Sequence, residues 1–114
     1  MALDADYARS LELAAAMNLL AYATTADARE RTASGEELIK FRESCSTAVD
    51  TCLGNVDLLA KIARSREVLL AEGEIIAGLK QLAGAIGDSR QLGERCGAFL
   101  SLLGFPGQPG EQTG

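Results

Sequence analysis

One apolar seam dominates the chain. Leu38, Phe41, Cys45, Ala48, Cys52, Asn55, Leu59 and Ile62 follow one another at steps of 3, 4, 3, 4, 3, 4 and 3. That is the spacing of a helix stripe packed against another helix. A second stripe, Ile75, Leu79, Leu82 and Ile86, repeats the pattern further on. The fold these stripes predict is all-α: an antiparallel bundle of about four helices.

Capping signals divide the pattern. The first helix is expected to start near Asp4, whose carboxylate suits free N-terminal amides. It carries Tyr7, Leu11, Ala14, Met17 and Leu20, with Leu13, Leu19 and Tyr22 widening the arc. Few charges interrupt residues 13–26, so this helix is expected to be central and buried on more than one side. Residues 27–33 read as a frayed last turn or a loop. Ser34-Gly35-Glu36-Glu37 then reads as a capping box opening the second helix.

The end of that second helix has two candidates. Gly54-Asn55 tolerates a left-handed stop, and Arg64-Ser65-Arg66 is the other. The seam keeps its phase through Val56, Leu59 and Ile62, which favours the later break. An unbroken helix over 35–86 would be about 78 Å long, a length suited only to an intertwined dimer. The third helix runs to about Ile86, where Gly87 terminates it and Asp88 caps the next. The last helix carries Leu92, Cys96, Phe99, Leu100 and Leu103. Residues 1–103 thus form a single domain. Residues 104–114, with both prolines and four glycines, read as a flexible tail. The PxxP within it, Pro106 to Pro109, is too glycine-rich for a polyproline ligand.

Composition supports this picture. Among 114 residues 47% are apolar, which is globular rather than disordered, and only 4% are aromatic, so the core must be aliphatic. A chain of this size buries roughly 65% of its unfolded surface without needing metal or disulfide. The net charge of −5 argues against nucleic acid, because phosphate neutralisation needs clustered cations. The only small cluster is Lys61, Arg64 and Arg66. No basic segment precedes an apolar core at the N-terminus, so no export signal is expected. No apolar run reaches the roughly 18 residues of a membrane span. Three cysteines, an odd number, fit a reducing cytoplasm.

Histidine is absent, and that narrows the chemistry most. It removes the commonest general base, Ser-His-Asp and Cys-His nucleophile systems, and Glu-x-x-His di-metal sites. There is no phosphate-binding GxxxxGK[ST] loop. Carboxylates remain for a Mg²⁺ site, but Glu36, Glu37 and Glu43, or Glu72 and Glu74, match no metal motif. Cys45 and Cys52 stand seven apart on one helix, about 10 Å along its axis, too far to bridge. Their plainer reading, with Cys96, is as small buried apolar residues. A Cys52–Cys96 bridge, or one across a dimer axis, stays geometrically open. Glu72, Asn18 and Asn55 fall on or near apolar arcs. Each is either a boundary residue or a polar group that sets helix register. Gly73, Gly78 and Gly84 weaken their helix by about 1 kcal/mol each, which close helix approach would offset.

The expected function follows from an excess of apolar helix faces over catalytic groups. The chain reads as a small non-catalytic interaction protein: a self-associating bundle, an adaptor or a chaperone-like subunit. Its expected partner is a protein or a second copy, as a homodimer, with no cofactor, no nucleic acid and no membrane. The expected contact residues are Leu38, Phe41, Cys45 and Leu59, or the face Ile75, Leu79, Leu82 and Ile86. The alternative is a bundle that binds a small apolar ligand or cofactor between its helices, as a sensor or carrier, with Glu72, Asn18 and Tyr22 as polar groups.

Overall fold

A computed structural model describes residues 2–106 of the chain. Six helices account for most of them, and the described residues contain no strand: α1 (Ala2–Tyr22), α2 (Ala26–Arg31), α3 (Gly35–Leu53), α4 (Val56–Ser65), α5 (Glu72–Ala85) and α6 (Ser89–Leu102). The all-α expectation therefore holds, and the count rises from about four to six. Two local causes account for the difference. The stretch after Tyr22 forms a helix of its own, because the Thr25 hydroxyl accepts from the Ala28 amide and starts α2. The long seam, moreover, breaks at both candidate points instead of the later one alone.

The first break is the corner Gly54-Asn55. Gly54 N–H donates to the Asp50 carbonyl and closes α3, while the Asn55 carbonyl accepts from Leu59 N–H and opens α4. The seam keeps its phase because only two residues lie between the helices. Its hydrophobic spacing therefore gives no sign of the corner.

The second break ends α4 and mirrors the end of α6. Val68 N–H donates to the Ala63 carbonyl and Glu67 N–H to Arg64; Phe105 N–H donates to Leu100 and Gly104 N–H to Ser101. Both are Schellman turns. The left-handed position is Gly104 (φ +93°) in one and Glu67 (φ +66°) in the other. The turns pack together: a Cβ on Gly104 would lie 2.8 Å from the Val68 Cγ2. Arg66 fastens them, its Nε donating to the Gly104 carbonyl at 2.9 Å and its guanidinium lying 4.2 Å from the Phe105 ring centre. Chain packing thus includes Gly104 and Phe105, the first two residues of the expected tail. Residues 107–114 of that tail lie outside the described residues.

α1 packs chiefly on α3 and also on α6; α5 packs on α6, α3 and α4. Between them sits one core, with Leu13, Leu20, Cys45, Cys52, Leu59, Ile75, Leu79, Leu82, Cys96 and Leu103 at its centre. Gly78 marks the tightest part of the α5–α6 contact, where a Cβ would come within 3.2 Å of Leu102 and 3.3 Å of Phe99. Gly73 and Gly84 have open space at the same position, so close approach accounts for only one of the three glycines. Asp88 caps α6 as expected, its carboxylate accepting from Arg90 and Gln91 amides. Ser34 stands at the start of α3 without a side-chain cap bond, so only the position of the expected capping box is realised.

Candidate functional site

The residues that the sequence nominates for contact separate into two groups. Cys45, Leu59, Ile75, Leu79 and Leu82 are fully enclosed, and Ile86 packs against the same core. The middle of the seam and most of the second stripe thus face inward, toward each other. The reason is geometric: α5 lies against both α3 and α4. Leu38 and Phe41, at the start of the seam, stay half-buried and line a surface cleft.

That cleft has a volume of about 430 Å³ and lies between α2, α3 and α6. Its apolar floor includes Ala28, Leu38, Phe41 and Leu92, and its rim carries Arg29, Arg90 and Glu94. Tyr22 steadies one wall. Its ring meets Phe41 edge-on with centroids 6.1 Å apart, and its hydroxyl donates to Asp27 at 2.7 Å. Arg42 steadies another, donating to the Ser89 hydroxyl at 2.7 Å. The Arg42 Nε is buried with no partner among the described residues.

α1 presents the second unusual surface, and the sequence reading missed it. Met17 and Leu20 enter the core as expected, but Tyr7 is 65% and Leu11 53% exposed, and Ala14 and Ala15 also face solvent. The helix is buried on one side only, not on several. Its outer strip lies between two grooves. One, toward α4, is apolar and bounded by Met17, Leu58, Ile62 and Phe105; the other, toward α3, is bounded by Glu12, Leu19, Lys40 and Glu43. The apolar surplus of α1 was legible in the sequence. Which side of it stays open depends on the placement of α3 and α6.

The polar candidates fare differently. Asn18 and Glu72 are exposed and line none of these clefts. Asn55 is buried at the α3–α4 corner, where its Nδ2 donates to the Thr51 carbonyl at 2.8 Å and its Oδ1 accepts from Arg9 Nε at 2.9 Å. Arg9 continues to Asp57 at 3.0 and 3.3 Å. Partial desolvation pushes the Asp57 carboxyl up, but the Leu58 amide and Arg9 outweigh it and hold it below its ordinary value. Through Asn55, Arg9 of α1 is thus tied to the α3–α4 corner.

All three cysteines are free and buried. Desolvation pushes the Cys45 and Cys52 thiols up to about 11; desolvation, with Cys45 nearby, pushes Cys96 up to about 12. Such thiols are protonated near neutrality and poor nucleophiles. Among the described residues no cluster of three acidic, cysteine or histidine side chains is arranged to hold a metal ion. No described helix is long and apolar enough to cross a membrane. Set against protein-family models, curated proteins and solved structures, the chain finds no match.

Proposed function

We propose that this chain is a non-catalytic association protein of the helical-bundle type, and that the outer face of α1 is its contact surface. One observation carries the reading: α1 has apolar residues on its outer as well as its inner side, and its own fold covers the inner side only. Tyr7 and Leu11, four residues apart, form one exposed stripe. The small residues Ala14 and Ala15 continue the surface, and the two grooves beside α1 give it the ridge-and-groove relief that helices pack against. Contiguous exposed apolar surface marks protein contacts more often than isolated exposed residues do.

The small-ligand alternative draws less support. Asn18, Tyr22 and Glu72 do not converge on a shared cavity. The test is size-exclusion analysis of the chain recovered from its native source, beside a Leu11→Glu variant. The wild-type chain should elute within a complex and the variant at the mass of a single chain. A wild-type chain eluting alone would end the proposal.

A further inference from the structure

We propose that the cleft between α2, α3 and α6 binds a small carboxylate with an apolar body. The cleft uses neither Tyr7 nor Leu11, so this site is independent of the contact surface on α1.

An excess of hydrogen-bond donors selects the charge. Arg29 and Arg90 line the cleft, and neither lies within ion-pair distance of a carboxylate among the described residues, Glu94 included. Ser89 adds a third donor. Its oxygen accepts from Arg42 Nη2 at 2.7 Å, and its own proton has no acceptor among the described residues. A hydroxyl that accepts from a guanidinium is the stronger donor for it. Thr32, by contrast, spends its proton on the Ala28 carbonyl. Two guanidiniums and one hydroxyl thus stand against the single carboxylate of Glu94. An acceptor balances them, and the planar guanidinium fork matches a carboxylate. The floor selects the body. Ala28, Leu38, Phe41 and Leu92 offer carbon that a bare anion would leave wet. The volume of about 430 Å³ lies within the roughly 300–1,000 Å³ of small-molecule sites. A helix about 10 Å across would fill it with a single turn, whereas a small molecule fits whole.

Three other cavities lack this combination. The α1–α3 groove sets Glu12 and Glu43 against Lys40. The groove between α5 and α6 has Arg95 with Glu74, and Arg95 already donates to Gln81 Oε1 at 3.3 Å. The α1–α4 groove is as apolar as the cleft, but its one cation is the ammonium of Lys61, and Ser65 there spends its proton on the Ile62 carbonyl at 2.6 Å. Of the four, only the α2/α3/α6 cleft joins two guanidiniums to an apolar floor.

Titrating the purified full chain with octanoate tests this, read by calorimetry and by amide NMR shifts. Octanoate should bind saturably with a Kd of roughly 1 mM or tighter. Octanol has the body without the charge, and acetate the charge without the body; each should bind about tenfold more weakly or worse. Shifts should centre on Leu38, Phe41, Ser89 and Gly93. A chain carrying Arg29→Gln and Arg90→Gln, shown folded by circular dichroism, should lose about tenfold in octanoate affinity. No saturation by roughly 10 mM octanoate overturns the proposal. So does equal affinity for octanol, or a double variant that binds as tightly as the wild type. Shifts centred on Met17, Lys61 and Ile62 would place the ligand in the α1–α4 groove and overturn it as well. None of these outcomes touches the Leu11→Glu test of α1, so the two readings fail separately.

Discussion

α1 and α5 are both rich in apolar residues, and the fold treats them oppositely. α5 turns Ile75, Leu79 and Leu82 into the core and leaves Glu74, Lys80 and Gln81 in solvent. It packs on three other helices. α1 buries Leu13, Met17 and Leu20 and leaves Tyr7 and Leu11 in solvent. One helix has as much apolar surface as its own fold consumes; the other has more. Surplus of this kind costs solubility without adding to single-chain stability, so it is informative about what lies outside the chain.

The largest effects should come from probing that contrast directly. Leu79→Ala should destabilise the chain by about 2–5 kcal/mol in urea titrations, since Leu79 is fully enclosed. Leu11→Ala should change the stability of the isolated fold by no more than about 0.5 kcal/mol. Equal losses at both sites would mean that α1 is no less committed to the core than α5.

The paired turns behind α4 and α6 give a smaller, two-signed test. Gly104→Ala places a Cβ against Val68 at a left-handed φ and should destabilise by about 1 kcal/mol or more. Glu67→Gly removes a side chain from the same backbone region and should stabilise by up to about 1 kcal/mol. Thermal midpoints moving in opposite directions are the expected result.

Alkaline pH gives the gentlest probe. The thiols are pushed up from an ordinary value of 9.0 to about 11, 11 and 12 in the fold. Their contribution to stability is therefore complete below pH 9, and it drains away as pH rises through 11 to 12. Denaturant midpoints should fall over that window, and a Cys45→Ala, Cys52→Ala, Cys96→Ala chain should lose this dependence. Iodoacetamide at pH 8 should label the cysteines only after unfolding.

Much of this molecule was legible before its structure. Hydrophobic spacing located both stripes, and Asp88 marked the start of α6, because helical period and capping are local. The corner at Gly54-Asn55 is hidden from the hydrophobic period, since a two-residue interruption leaves that period intact. The inward assignment of Cys45, Leu59 and Leu79 was out of reach. Spacing says which residues share a face, not which neighbour covers it. For the same reason Leu38 and Phe41, though on the seam, end on a cleft wall. The Schellman turn at Leu103-Gly104-Phe105 left a readable sign, glycine followed by an apolar residue, which the proline-rich residues beyond it obscured.

The Arg9 contacts have a consequence for binding cost. A first helical turn ordinarily frays, and a partner that docks on it must bear the entropy of ordering it. Arg9 reaches across 46 positions to Asn55 and 48 to Asp57, and so moors the early turns of α1 to the α3–α4 corner. Tyr7 and Leu11, on either side of Arg9, are therefore held as a preorganised pair. Under the α1 contact proposed above, an Arg9→Met chain would present the same two side chains from a looser mount, and its affinity for a partner should fall although neither side chain has changed.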